Sequence, residues 1–147
     1  MPLPWAYFDT SVLVKRYVRE AGSRRARELM RRYRFLSCAI IQVEALSALS
    51  RRRTAGDLDA RSFGAILSRM RADRAHWELV ELGDSVLTRA EGVVRQSGAS
   101  TLDALHIASA LAFQELSGLH LPFITADERQ PDAAERVGLD VMWLAPA

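Results

Sequence analysis

The sequence has little of several features that would define a class of protein. It contains one cysteine, Cys38, so no disulfide can form within the chain and no cysteine-based zinc site can be assembled. No run approaches the roughly 18 consecutive apolar residues that a membrane-spanning helix needs. The N-terminus lacks the basic segment, apolar core and cleavage site of a secretory signal. We therefore expect a cytoplasmic protein without membrane contact, in which Cys38 is a small buried apolar residue.

Lysine is also scarce, because Lys15 is the only one among 20 basic residues and the others are arginines. Many of the arginines are clustered, at residues 24–34, 51–53 and 69–74. The planar guanidinium group matches phosphate geometry, so a nucleic-acid partner would explain the clusters. The alternative is structural, since residues 51–53 precede a predicted helix end at Ala55-Gly56, where cations favour the helix dipole.

The chain has no internal repeat, low-complexity tract or Ser/Gly-rich linker, and 49% of its 147 residues are apolar. This length supports one ordinary domain with a real core and is short for two. We therefore predict a single domain over residues 1–147.

Apolar periodicity predicts strands alternating with helices. The strands are expected at residues 4–8, 35–38, 77–82, 121–125 and 140–144, the third of them near a sheet edge. Helices are expected at 10–21, 23–33, 39–54, 58–74, about 87–98, 102–117 and 133–137, those at 39–54 and 58–74 forming a long hairpin. Without hairpin signals between the strands, this order indicates an α/β fold with about five parallel strands layered between helices.

Two acidic residues follow predicted strands directly. Asp9 comes after the first strand, and Asp127 follows the strand at 121–125 by one residue. Ligands of open parallel sheets bind beyond the carboxyl ends of the strands, where strand order reverses. If these two strands are neighbours, the two carboxylates are neighbours as well.

Two further acids are anomalous on apolar helices. Glu44 has Ile40, Ile41 and Ala48 as its helical neighbours, and Asp103 lies in the first turn of the most apolar helix of the chain. An unpaired carboxylate in such surroundings would be costly. Both helices are expected to begin at the same sheet edge as Asp9, as helices that follow parallel strands do.

Each of these acids also has an ordinary structural interpretation. Residues 100–103 and 125–128 both fit a capping box, and Asp9 could cap the helix that follows it. Glu44 could pair with a nearby arginine. His106 lies one turn after Asp103 and could contact the site, although a locally hydrogen-bonded histidine is the favoured interpretation.

Taken together, the four acids favour a metal site. Clustered carboxylates repel one another and raise each other's pKa unless a cation lies between them. Oxygen ligands without cysteine or paired histidines favour Mg²⁺ or Mn²⁺ over zinc. Such an ion can polarise a phosphate oxygen and acidify a water, which is the chemistry of phosphodiester hydrolysis.

Four segments of the chain resemble the acidic motifs of PIN-domain ribonucleases, particularly the VapC-like toxins of type II toxin–antitoxin systems: FDTSVLVKRYV at Asp9, VEALSAL at Glu44, LDALHIASAL at Asp103 and ITADERQ at Asp127. Their order and spacing match across essentially the whole chain. The resemblance implies a three-layer α/β/α fold with a site for one or two Mg²⁺ or Mn²⁺ ions. It also implies metal-dependent endonucleolytic cleavage of RNA.

Carried over by position, the resemblance assigns catalytic and metal-binding roles to Asp9, Glu44, Asp103 and Asp127. Supporting hydroxyl groups are assigned to Thr10 or Ser11 and to Thr125. A cognate antitoxin and a homodimer are implied as partners. One departure is Pro131, which limits how the helix after Asp127 can begin and leaves Asp132 as a possible substitute for Asp127.

Rival functions have weaker support. A receiver domain would need a lysine after its last strand, where the chain ends DVMWLAPA, and a haloacid-dehalogenase-type phosphatase would need an aspartate where Ser11 stands. No Gly-rich phosphate loop followed by lysine exists. The main alternative is a non-catalytic module of the same fold that binds nucleic acid or a partner protein.

Overall fold

A computed structural model describes residues 2–146 and contains five strands and seven α-helices in that part of the chain. The strands are β1 (Trp5–Phe8), β2 (Arg34–Cys38), β3 (Glu78–Val80), β4 (Pro122–Thr125) and β5 (Asp140–Trp143). The helices are α1 (Thr10–Tyr17), α2 (Ser23–Arg32), α3 (Ile41–Thr54), α4 (Ala60–Asp73), α5 (Asp84–Ser97), α6 (Thr101–Ser117) and α7 (Gln130–Arg136). A short 3₁₀ helix, Arg74–His76, follows α4.

The five strands form one parallel sheet in the order β3-β2-β1-β4-β5. The chain moves outward from β1 through β2 to β3 and then returns to place β4 on the other side of β1. Strand order therefore reverses between β1 and β4, which is where such sheets bind ligands. The prediction of a parallel five-stranded sheet is confirmed, as is the position of β3 at an edge.

Side chains of β1 point alternately to the two faces of the sheet, and the hydrophobic core is divided between these faces. Ala6 and Phe8 pack with α1 to α4, whereas Tyr7 packs with α5 to α7. One aromatic pair stacks on each face of the sheet. The ring centroids lie 5.0 Å apart for Phe8 and Phe35 and 5.2 Å apart for Tyr7 and Phe123. Because side chains of a strand point alternately to opposite faces, the result is the expected three-layer α/β/α arrangement.

The α3–α4 hairpin is present as predicted, but α1 is shorter than expected. It ends at Tyr17, and the next residue, Val18, is extended. Ser23 closes the following turn by donating its hydroxyl to the Val18 carbonyl at 2.7 Å. Gly22, which the sequence suggests as the end of α1, has φ +88° and lies at the start of α2.

Of the helices in residues 2–146, none has both the length and the apolarity that a membrane crossing requires.

Candidate functional site

The four predicted acids line one cavity at the carboxyl ends of β1 and β4. Asp9, Glu44, Asp103 and Asp127 all border this space of about 500 Å³, which we call the acidic pocket. They come from four different parts of the chain: the loop after β1, the first turns of α3 and α6, and the loop after β4. The topology therefore gathers them, while their catalytic and metal-binding roles stay predictions.

Asp9 is the most enclosed of the four acids, with only 3% of its surface exposed. It is the N-cap of α1, and its Oδ1 accepts hydrogen bonds from the backbone and the hydroxyl of Ser11. Oδ2 accepts from Thr125 at 2.5 Å. Burial raises the pKa of Asp9, and the nearby charge of Asp127 adds to this effect, although the hydroxyl hydrogen bonds and His106 oppose it.

Two hydroxyl groups connect the β1 and β4 ends of the pocket. Thr125 accepts from the backbone N–H of Asp127 at 3.0 Å while donating to Asp9. Ser11 likewise accepts from the Ala126 N–H at 2.9 Å. These side chains, predicted as supporting residues, thus fix the two acid-bearing loops against each other.

Glu44 extends from the first turn of α3 into the pocket, with 19% of its side chain exposed. Its Oε1 accepts hydrogen bonds from Thr10 at 2.7 Å and from His106 Nε2 at 2.6 Å. Burial would raise the pKa of Glu44, but these hydrogen bonds and the charge of His106 outweigh it and lower the pKa. The suggested arginine partner is therefore wrong, because the pairing residue is a histidine.

His106 is buried beneath the pocket, and within residues 2–146 its ring forms hydrogen bonds only with side chains outside its own helix. Its Nδ1 lies 2.7 Å from the Tyr7 hydroxyl and 3.6 Å from the sulfur of Cys38, and its Nε2 faces Glu44. Burial disfavours the charged ring, but the contacts with Cys38 and Glu44 raise the pKa of His106 to about 10. The favoured interpretation of a locally bonded histidine is wrong, since the partners of its ring lie on β1, β2, α1 and α3.

Asp103 lies in the first turn of α6 and accepts a hydrogen bond from Gln130 Nε2 at 2.9 Å. Burial raises the pKa of Asp103, and the charge of Asp127 adds to this. Because α6 follows α5 instead of a strand, the strand-to-helix rule does not explain why it begins at the pocket. Gln130 is 2% exposed, and no side-chain feature of the sequence singled it out.

Asp127 is the only one of the four acids that pairs with an arginine within residues 2–146. Its carboxylate accepts from the backbone N–H of Arg129 at 3.0 Å and from the guanidinium at 3.0 and 3.2 Å. These contacts lower the pKa of Asp127 despite partial burial. The capping box expected at 125–128 is wrong, because α7 begins only at Gln130. Asp132, the suggested substitute, is exposed and does not border the pocket.

The donor chemistry of the pocket fits a hard divalent cation. Four carboxylates border it, and Gln130 Oε1 beside Asp103 is buried without a hydrogen-bond partner in the described chain. Within residues 2–146, however, no three Asp, Glu, His or Cys side chains are close enough together to hold an ion directly. Mg²⁺ usually binds one or two carboxylates and retains several waters, so this spacing suits a hydrated ion.

A second cavity adjoins the acidic pocket and is lined by three basic side chains together with the acids Glu20, Glu44 and Asp57. It has a volume of about 690 Å³ and shares Thr10, Ser11 and Glu44 with the acidic pocket. Lys15, Arg51 and Arg52 border it, and we call it the basic groove. Lys15 and Arg52 both pair with Glu20, whereas the Arg51 guanidinium donates to Ser47 at 2.7 Å and is in no ion pair of the described residues.

Comparison with known proteins agrees with this architecture. A solved structure described as a toxin-antitoxin complex from Klebsiella pneumoniae matches with a TM-score of 0.69 at 16% identity, covering 97% of this chain and 99% of that one. At this identity the likeness concerns the fold. No curated protein matches the chain. The family model described as the PIN domain matches residues 6–136, so the chain belongs to the PIN domain family.

Proposed function

We propose that the chain is a Mg²⁺- or Mn²⁺-dependent endoribonuclease that hydrolyses RNA phosphodiester bonds. The observation that carries this proposal is the convergence of Asp9, Glu44, Asp103 and Asp127 on one pocket at the strand-order reversal. PIN domains are in general nucleases, and Arg51 in the groove beside the pocket, which is in no ion pair of the described residues, could contact a phosphate group.

The four acids would hold one or two ions in this pocket. The surroundings of Asp9 and Asp103 support this proposal. Burial and the charge of Asp127 raise the pKa of both, so a cation between the carboxylates would relieve their repulsion. When bound, such an ion supplies Lewis-acid polarisation of a phosphate oxygen and acidifies water. The protein's own part is to hold the carboxylates in place through Ser11, Thr125, Thr10 and His106.

Metal-titrated cleavage of RNA tests the proposal. Purified protein is expected to cleave total cellular RNA when Mg²⁺ or Mn²⁺ is added, and to lose activity on chelation. Asp9→Asn removes one of the negative charges from the pocket, so we expect it to abolish cleavage. Mapping the new RNA ends would show whether cleavage is internal. Equal cleavage by wild type and variant would assign the activity to a contaminant or to another site.

The alternative is a PIN-like module that binds nucleic acid or a partner without cleavage. The Asp127–Arg129 ion pair favours this alternative, because a carboxylate already bound to a guanidinium group is less available to a metal ion. The same experiment separates the two functions. Metal-independent RNA binding with no cleavage at any metal concentration would establish the non-catalytic module.

A toxin role is proposed as the finer function, with an antitoxin protein as partner. Its support is the resemblance to VapC-like toxins and the match to a solved structure described as a toxin-antitoxin complex. A small antitoxin-like reading frame directly upstream would separate a toxin from a housekeeping nuclease. The homodimer, the cytoplasmic location and the single domain over residues 1–147 stay predictions.

A further inference from the structure

The strongest unassigned feature of the molecule is the buried chain of contacts beneath Glu44. We infer that His106 is a positioning residue that holds the Glu44 carboxylate in the acidic pocket through Nε2, while Tyr7 fixes the imidazole ring from the core side. This inference rests on the proposed function and extends it to two residues outside the four acidic positions.

Hydrogen-bond partners hold both ring nitrogens of His106 in place. Nε2 lies 2.6 Å from Glu44 Oε1 and 3.2 Å from the Thr10 hydroxyl, and Nδ1 lies 2.7 Å from the Tyr7 hydroxyl. His106 is 2% exposed and Tyr7 is fully buried. The ring therefore has little freedom to turn, and its direction determines where the carboxylate can lie.

The hydrogen-bonding roles follow from the chemistry of the partners. An ionised carboxylate only accepts hydrogen bonds, so Nε2 carries a proton whether the ring is neutral or charged. Nδ1 can exchange either role with the Tyr7 hydroxyl, which both donates and accepts. The contact with Glu44 is thus maintained in both protonation states of the ring.

Both hydrogen-bond donors to Glu44 bind the same oxygen of its carboxylate. The Thr10 hydroxyl and His106 Nε2 bond to Oε1, and within residues 2–146 no hydrogen bond is made to Oε2. The carboxylate is therefore held by one oxygen and presents the other without a protein partner. This is the arrangement expected of a carboxylate oriented for a ligand in the pocket, and such supporting partners commonly affect metal affinity or activity 10- to 100-fold.

Two substitutions of His106 separate its two contacts. In His106→Gln the side-chain amide nitrogen reaches the former position of Nε2 and can donate to Glu44. In His106→Asn it reaches only the position of Nδ1 and can contact Tyr7. Mn²⁺ binding is measured by calorimetry without RNA, and RNA cleavage is measured in parallel. All variants are compared at a temperature at which circular dichroism shows them folded.

We expect His106→Asn to weaken Mn²⁺ binding and cleavage about 10- to 100-fold, and His106→Gln to restore most of that loss. Tyr7→Phe keeps the ring packing and is expected to weaken both in the same direction. The matched control is Ser109→Ala, because Ser109 is a buried polar residue of the same helix whose hydroxyl bonds only to the Leu105 carbonyl at 2.7 Å.

Each outcome decides between positioning and packing. If Gln and Asn variants are equally impaired, or if neither differs from wild type, the positioning role of His106 is refuted. If His106→Asn does not fold, Tyr7→Phe with wild-type Mn²⁺ affinity refutes it. Wild-type protein that neither binds Mn²⁺ nor cleaves RNA refutes the proposed function and this inference together, whereas failure of the variants alone leaves the nuclease proposal intact.

Discussion

At the scale of single residues, Asp9 combines a position in the proposed site with a cost in stability. It is 3% exposed, and its pKa is raised chiefly by burial. A carboxyl group whose pKa is higher in the folded than in the unfolded protein lowers stability above both values. That loss develops as the pH rises from the unfolded-state pKa to the folded-state pKa.

We expect Asp9→Asn to stabilise the metal-free protein at pH 7 by about 0.5 to 2 kcal/mol, because it removes a buried charge and keeps the shape of the side chain. This would raise the Tm by about 2 to 4 °C per kcal/mol. At pH 4 the difference from wild type should shrink, since Asp9 is then closer to neutral. Thermal unfolding at both pH values measures the effect.

The same measurement reports metal binding. Mg²⁺ should raise the Tm of the wild type with the logarithm of its concentration once that concentration exceeds the Kd, and Asp9→Asn should reduce that shift. A variant less stable than wild type at pH 7 would contradict the proposed cost of the buried charge.

Residue-scale prediction from sequence succeeded for groups whose position follows from topology. Asp9 and Asp127 follow neighbouring strands, so their proximity could be predicted. Gln130 and the partners of His106 could not, because the hydrogen bonds join residues 27 and 62 positions apart. A histidine within a strongly apolar helix was the available signal, and it does not specify a partner.

At the scale of elements, helix α5 contains one glycine, Gly92, and is capped by another, Gly98, with a different backbone conformation. Gly98 caps its C-terminus with φ +72° and donates its N–H to the Val94 carbonyl at 2.8 Å. Gly92 lies within the helix, is exposed, and has no atom within 4 Å of the place where a Cβ would stand.

We predict opposite effects of alanine at these two positions. Gly98→Ala forces a side chain into the left-handed region and should destabilise the protein by about 1 to 2 kcal/mol. Gly92→Ala, the matched control in the same helix, should stabilise it by about 0.4 to 1 kcal/mol. Denaturant unfolding measures both, and a destabilising Gly92→Ala would show that this helix face is not free.

Element positions could be predicted closely where apolar periodicity and a stop signal coincide. Gly118 ends α6 as expected, after the last apolar turn. The predicted end of α1 was wrong because Gly22 marks a turn without showing which of two adjacent helices it belongs to. Helix α7 begins at Gln130, before the predicted 133–137, and the capping box suggested at 125–128 does not form because Thr125 uses its hydroxyl within the strand end.

At the scale of the whole molecule, the net charge is only +2, but basic side chains lie beside the four acids. The acidic pocket and the basic groove adjoin through Glu44, Thr10 and Ser11. RNA bound across both would have its phosphates near the arginines, and its affinity would fall steeply with salt.

Arg51 is the groove cation best placed to test this. In an Asp9→Asn background, which is expected to prevent cleavage, Arg51→Gln should weaken binding of single-stranded RNA. It should also reduce the slope of log affinity against log salt by about 0.7. Arg95→Gln on α5 is the control, because Arg95 is exposed and does not border the groove. Fluorescence anisotropy over a salt series measures both, and salt-independent binding by wild type would contradict a phosphate-binding groove.

The placement of β4 beside β1 also affects the order in which the chain can mature. Asp9 and Thr125, which bond to each other, are 116 residues apart. During translation, the N-terminal motif emerges long before the segment that completes its surroundings. A polypeptide still attached to the ribosome thus lacks a finished pocket until the segment around Thr125 has emerged, and under the proposed function the messenger and ribosomal RNA around it would be protected from attack until then.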